Sequence, residues 1–323
     1  MARMRVVVTG GAGFMGAAFT RHIHQQAEVV CLDALTYAAD LHNLEGFEYQ
    51  LVEGTICNQQ LVDEVVSSAD AVVHFAAESH VDRSIDAPED FVQTNVVGTY
   101  RLLEAVRKNP HVRFHHISTD EVYGSISAGA FNENSPYKPN SPYAASKAAS
   151  DHFVRSYGKT YNLLVTTSHA SNNYGPGQYP EKFMPVMIRA LIEKKPLPVY
   201  GQGLNVRDWL YVDDHARAVW TILQKGAKGE VYNIGADNPR CNIDVLKQLI
   251  SIYEELTGEA NLEELITFVE DRPGHDLRYA IDASKLKKEL GWMPQMPFDQ
   301  GLKQTIQWYL DVSKKENRLC HTR

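Results

Sequence analysis

The stretch "RVVVTGGAGFMG", Arg5 to Gly16, decides the fold. An apolar β-branched run, Val6 to Val8, stops at Thr9, and glycines follow at positions 10, 13 and 16. A strand that ends in G-x-x-G-x-x-G and opens a helix lets backbone approach a pyrophosphate, whose charge then sits at the helix N-terminus. Flexible turns imitate such glycine runs, so context has to decide. Here a second apolar run, "EVVCLD" (28–33), ends in Asp33. An acid at that tip accepts hydrogen bonds from both hydroxyls of an adenosine ribose and repels a 2′-phosphate. The stretch reads as a dinucleotide site that favours NAD over NADP.

Outward from that site the chain alternates. "RVVVT" (5–9), "EVVCLD" (28–33), "YQLVE" (49–53), "AVVHFAA" (71–77), "VRFHHIS" (112–118) and "LLVTTS" (163–168) read as strands. Their unbroken apolar runs suit strands buried on both faces. Helical patterns lie between them, among them 89–109 and 143–161. Such alternation implies right-handed βαβ units and an α/β fold with a doubly wound parallel sheet. Past residue 170 the pattern loosens into Pro-, Gly- and Asn-rich loops, followed by helices near 183–194, 213–224, 242–257, 283–290 and 298–312. The expected division is a nucleotide-binding domain over 1–170 and a smaller C-terminal lobe over 171–323, with some segments of the latter returning to the sheet.

The bulk numbers narrow the function classes. A chain of 323 residues with 44% hydrophobic and 22% charged content is ordinary for a soluble globular protein. A formal net charge of −8 argues against a general nucleic-acid binder, which needs a basic surface. No run approaches 18 apolar residues, so no membrane span is expected, and the N-terminus lacks a signal-peptide pattern. Cys31, Cys57, Cys241 and Cys320 have neither disulfide-framework nor CxxC spacing, which suits reduced thiols in the cytoplasm. The histidine pairs, His22 with His24 and His115 with His116, face different sides of their elements, so no metal site is expected.

Two short motifs carry chemistry. "YAASK" sets Tyr143 and Lys147 one helical turn apart, and an ammonium beside a phenol lowers its pKa towards that of a usable base. "STDEVYG" (118–124) sets two adjacent carboxylates, Asp120 and Glu121, behind Ser118 and Thr119. Adjacent acids are either solvated in a turn or held in a site that uses both. With the glycine loop, the Tyr/Lys pair and the hydroxyl residues together, the sequence resembles the extended short-chain dehydrogenase/reductases over essentially its whole length. That resemblance implies a Rossmann domain.

Within that family, Thr119-Asp120-Glu121 resembles the triad of dTDP-glucose 4,6-dehydratases, with Thr119, Asp120, Glu121, Tyr143 and Lys147 as catalytic residues. The resemblance implies a lyase that oxidises C4 of a nucleotide-diphosphate sugar, eliminates water across C5 and C6, and returns hydride to C6. The related 4-epimerases, decarboxylases and UDP-glucose 4,6-dehydratases are the alternatives. It further implies NAD contacts from Gly10, Gly13, Phe14, Met15 and Gly16 in the loop, and from Asp33, Ala34, Leu35 and Thr36 after the second strand. Thr55, Ile56, Phe75, Ala76 and Ala77, then Ser79, Thr94, Tyr143, Lys147 and Asn173, complete the cofactor set.

For the sugar nucleotide, dTDP-glucose foremost, the resemblance implies Ser79, Thr119, Asn172, Glu181 and Lys182. It adds Pro198, Val199, Tyr200, Arg207 and Asn242, then Arg272 and His275. The chain departs from the family at Thr55, where Asp is usual, at His169, where Arg or Asn is usual, and at Gly177, where an aromatic is common. The last change suggests a looser substrate loop. A homodimer is implied, built from the helices near 90–108 and 143–161 through positions including Phe91, Val97, Leu102, Ala149 and Phe153.

Overall fold

The structure is a computed structural model that describes residues 3–271 and 274–320, with side chains described to residue 315. Seven strands form the main sheet: β1 (Met4–Thr9), β2 (Ala27–Asp33), β3 (Gln50–Glu53), β4 (Ala71–His74), β5 (Arg113–Thr119), β6 (Leu164–Ala170) and β7 (Val231–Ile234). Their order is β7-β6-β5-β4-β1-β2-β3, and every pairing is parallel. The winding reverses between β1 and β4, and in open parallel sheets the crevice beyond that switch point is where ligands bind.

The six expected strands are present, each within two residues of its expected start. The expected run 71–77 leaves the sheet at His74, so Phe75 to Ala77 become loop. β7 was not among the expected strands, because four residues flanked by loops carry little periodic signal.

Alternation along β1 shows why its apolar run is unbroken. Val6 and Val8 face one side, packed with Phe19 of helix α1 (Phe14–Ile23) and with Trp220. Val7 faces the other, packed with Leu102, Val106 and Val154. Both faces of the sheet are therefore covered, and a polar residue at any of these positions would be buried without a partner. Val154 lies on helix α2 (Pro142–Thr160), which carries Tyr143 and Lys147 and is started by Pro142 and capped by the Ser141 side chain. Helix α3 (Val212–Lys225) supplies Trp220 and packs against α1, although it follows residue 171 in the chain.

The helical pattern over 89–109 is not one regular helix. Pro88–Phe91 and Thr99–Lys108 are α-helical, but Val92–Gly98 is wound as a π-helix. Asn95 gives the reason. Its buried amide accepts from Glu78 N–H at 2.8 Å and donates to Glu78 carbonyl at 2.9 Å and to Ser146 Oγ at 2.8 Å. That bridge joins the loop after β4 to α2 from within the wider turn, a feature found often at functional sites.

A second core gathers Met184, Ile188, Leu246, Leu249, Leu302 and Ile306 from three helices: Phe183–Ile192, Asn242–Thr257 and Phe298–Cys320. Strands Asn172–Tyr174, Val206–Tyr211 and Pro239–Cys241 form a three-stranded sheet, and Leu197–Tyr200 pairs with Ile266–Val269. Strands of three to six residues between loops leave little trace in hydrophobic pattern.

Candidate active site

A cleft of about 410 Å³ runs along the C-terminal ends of the main-sheet strands. One end is shaped by the glycine loop. Gly10 has φ +70°, and a Cβ there would stand 2.7 Å from the Ala76 nitrogen. A Cβ on Gly16 would overlap the Gly10 carbonyl, so α1 can approach the loop only without one. Gly13 caps α1 with no side-chain hydrogen bond, and the first turn of the helix holds no acid. Its leading N–H groups and positive dipole end are therefore left for an anion.

Asp33 ties this end together, accepting from Ala12 N–H and Leu35 N–H, each at 2.9 Å on separate oxygens. Each oxygen keeps lone pairs for a ribose hydroxyl. These residues fit a dinucleotide.

Deeper in, Thr119 ends β5 and its hydroxyl accepts from Glu121 N–H at 3.3 Å, starting a single turn over Asp120–Tyr123. This turn parts the adjacent acids: Asp120 is 3% exposed, whereas Glu121 is half-buried. The pair is not a solvated turn. Burial first, and then the Glu121 charge, push Asp120 well above the usual carboxyl range, with Arg207 opposing. Asp120 Oδ1 accepts from the Thr119 hydroxyl at 3.4 Å, and Oδ2 has no partner among the described residues. Burial thus favours the protonated form of this carboxyl.

Tyr143 and Lys147 face the same cleft from α2. Burial, then Glu121, push the Tyr143 phenol up, while a hydrogen bond with Thr119 acts downward. Lys147 directs its ammonium to the Ile117 carbonyl at 2.7 Å, and burial lowers its pKa to about 8. The ammonium thus reaches back to β5 while the phenol, one helical turn away, meets Thr119.

The cleft gathers most of the residues singled out in the sequence: the glycine loop, Asp33, Ala34, Thr36, Thr55, Ile56, Phe75 to Ala77, Ser79, Thr94, Asn172, Asn173, Glu181 and Lys182, besides the five catalytic candidates. Asn173 Oδ1 is buried without a partner, and Lys182 Nζ donates to the Ser79 carbonyl at 2.6 Å. The Thr55 hydroxyl accepts from Cys57 N–H at 3.2 Å, so it is already engaged locally.

Other candidates stand apart. Leu35 follows Asp33 with φ 49° and contributes its N–H. Val199 is 2% exposed in the second core, between the exposed Pro198 and Tyr200. Tyr200 meets the His275 ring at 5.9 Å, and Asn242 begins the helix Asn242–Thr257 with a buried, unpartnered Oδ1. Arg207 donates to the Val206 and Asp276 carbonyls at 2.8 and 2.9 Å and lies over Tyr279. Arg272 lies outside the described residues. Gly177, expected to loosen its loop, instead adopts φ +81° and packs against Asn43, whose amide donates to its carbonyl at 3.2 Å.

Sequence reasoning missed Trp209, Gln178, Tyr179 and Glu78, which also line the cleft. Trp209 reaches it as a member of the second core, and Glu78 from the loop after β4. Asn95 was missed as well, although a lone Asn inside an apolar helical run was a visible signal.

A dinucleotide cradle at the switch point, with a Tyr/Lys helix and an acid pair at one strand end, defines the extended short-chain dehydrogenase/reductase class. Residues 7–305 match the family model described as GDP-mannose 4,6 dehydratase. A dTDP-glucose 4,6-dehydratase of Neisseria meningitidis serogroup B is 49% identical, covering 95% of this chain and 93% of that protein. The solved dTDP-glucose 4,6-dehydratase of Streptomyces venezuelae, with NAD and TYD bound, superposes with a TM-score of 0.91 at 44% identity over 95% of this chain and 97% of its own. A UDP-glucose 4-epimerase from Thermotoga maritima has the same fold, with a TM-score of 0.87 but 27% identity, over 96% and 99% of the two chains. The chain belongs to the dTDP-glucose 4,6-dehydratase family.

Proposed function

We propose that the protein converts dTDP-glucose to dTDP-4-keto-6-deoxyglucose, and that NAD occupies the cradle formed by Gly10, Gly13, Gly16 and Asp33. The observation that carries this reading is the buried Asp120, its carboxyl pushed upward by burial, beside a half-buried Glu121. An epimerase, which performs redox at one carbon, has no use for an acid and a base side by side.

When bound, NAD supplies the hydride acceptor for C4 and the donor for C6. Tyr143 accepts the C4 hydroxyl proton, and Thr119, which hydrogen-bonds to that phenol, orients the same oxygen. Lys147 supplies positive charge beneath the pair. A ketone at C4 acidifies the C5 proton, which Glu121 removes. Asp120, held protonated, gives its proton to the departing C6 hydroxyl. Asp120 and Glu121 are neighbours in the chain because C5 and C6 are neighbours in the sugar.

Asn172, Asn173, Lys182 and Arg207 are the proposed diphosphate and sugar contacts. The assembly proposed is a homodimer. Val92 and Phe153, 48% and 38% exposed, lie on the two helices expected to form its interface, and Tyr161, just past α2, is 46% exposed beside them. Residues Phe91 and Leu102 on the inner side are buried within the protomer. Among the described residues no helix is long and apolar enough to cross a membrane, and Cys31, Cys57 and Cys241 are free thiols, which supports a cytoplasmic setting.

The test is incubation with dTDP-glucose, followed by alkali and reading of the 4-keto chromophore. A new hexose without a stable ketone would show an epimerase instead. Sedimentation at micromolar concentration checks the dimer, and a monomer there refutes it.

A further inference from the structure

Asp151 lies one turn beyond Lys147 and two beyond Tyr143 on α2, so all three share a face. It does not line the cleft, and its carboxylate is buried. Ser118 Oγ donates to Oδ2 at 2.9 Å, and His169 Nε2 stands 3.1 Å from the same oxygen. His116 Nε2 stands 3.1 Å from Oδ1. Both ring nitrogens of His169 are held in turn, Nδ1 by the Tyr123 hydroxyl at 2.7 Å and Nε2 by that of Tyr137 at 2.8 Å.

Three side chains from β5 and β6 thus converge on one buried carboxylate of α2. A buried charge is tolerated only with such partners. Burial works against ionisation here, but the contacts from His116 and His169 outweigh it and hold Asp151 well below the ordinary carboxyl range.

Two links run from this carboxylate to the cleft. Ser118 precedes Thr119 on β5, so its bond to Asp151 fixes the strand end that carries the triad. Lys147 is buried, and its ammonium donates to the Ile117 carbonyl on the same strand. The titratable groups facing that ammonium are Tyr143 and Asp151 on α2, His116 on β5 and His74 on β4. Both imidazoles are held neutral by burial. Asp151 is the anion that opposes the effect of burial on Lys147.

We infer that Asp151 is a positioning residue for the reaction, holding Lys147 as an ammonium and pinning the Ser118–Thr119 strand end against α2. It touches neither sugar nor nucleotide and acts through Lys147 and Ser118. The inference rests on the dehydratase reading of the same site.

The sign follows from charge. Lys147 works as a cation, so C4 oxidation fails as pH rises through its pKa of about 8. Removing the Asp151 charge lowers that pKa and moves the alkaline limb to lower pH. The experiment is a single-turnover burst of NADH absorbance with dTDP-glucose from pH 6 to 10, for the wild type and for Asp151→Asn, Asp151→Ser and Asp151→Glu. Burst amplitude counts folded protein, so its rate reads the site alone.

In the wild type the rate should fall above about pH 8. In Asp151→Asn and Asp151→Ser the limb should move by about one unit, giving about tenfold slower oxidation at pH 8.5 with near-normal rates at pH 6.5 and an unchanged KM. Asp151→Glu should restore the limb. A uniformly slower rate with the limb unmoved overturns the inference, as does a wild-type profile flat to pH 10. Wild-type protein that forms no 4-keto product at any pH overturns the functional reading, and this inference with it.

Discussion

The two ends of the cleft are built on different principles. At the nucleotide end the work is done by backbone: glycines with no room for a Cβ, bare N–H groups at the start of α1, and one carboxylate, Asp33, that also braces the loop. At the sugar end it is done by side chains whose charge states depend on burial, which pushes the Asp120 carboxyl and the Tyr143 phenol up and the Lys147 ammonium down. The first end is fixed by local geometry and tolerates little variation in residue type. The second is fixed by surroundings, so the same residues in a solvated loop would be chemically ordinary.

The comparison breaks most visibly at Tyr143. Tyr143→Phe removes the proton acceptor for the first step, and turnover should fall by at least about 10⁴-fold, with no NADH absorbance on adding dTDP-glucose. If NADH still forms at a normal rate, Tyr143 is not the base. Losses of about 10²–10⁴-fold are expected for Asp120→Asn and Glu121→Gln, confined to elimination. Both variants should still oxidise C4, so NADH should accumulate while solvent deuterium at C5 and the keto product lag. Near-normal dehydration in both would make the acid pair a bystander.

Asp120 also separates function from stability. A carboxyl whose folded pKa lies above its unfolded value contributes stability below the unfolded value, lost as pH rises through the folded one. Near neutrality the folded protein therefore bears the cost of an acid kept from ionising. Asp120→Asn removes that cost and should raise Tm at pH 7 more than at pH 4, even as elimination fails. Calorimetry at the two pH values checks this, and a Tm lowered at both would contradict it.

Smaller effects sharpen the nucleotide end. Asp33→Ala should weaken NAD by about 10–100-fold, the worth of hydrogen bonds to a charged group, and narrow the preference over NADP. Titration of the apoprotein with both nucleotides measures it, and an unchanged ratio would place the ribose elsewhere. Least is expected of Thr55→Asp, which frees an acceptor from the Cys57 N–H bond. Adenine-side affinity should rise by no more than about tenfold, one hydrogen bond's worth. A loss of affinity would show that Thr55 already serves that role.

The nucleotide end was legible in the sequence because its determinants are contiguous. A strand, three glycines and an acid at the next strand tip suffice, since tight turns and helix N-termini are local physics. The Tyr143/Lys147 pair was legible for the same reason, being one turn of helix. Its electrostatics were not: the ammonium turns to Ile117 and the phenol to Thr119, choices set by how α2 packs on β5. Asn95 was a visible signal whose role was not legible, because its partners Glu78 and Ser146 stand 17 and 51 residues away in the chain.

By itself, then, the chain's order of residues determined the parallel sheet and the cradle, which follow from periodicity and short spacings, and the family resemblance marked the candidate reacting side chains. Tertiary structure alone decided that Asp120 is buried and its carboxyl pushed upward while Glu121 is half-exposed, because burial is a property of what packs above and below, not of neighbours in sequence. It alone brought Trp209 and Tyr179 to the cleft wall and His169 to Asp151. Those groups are tens of residues apart, and the free energy that unites them comes from burying the two cores.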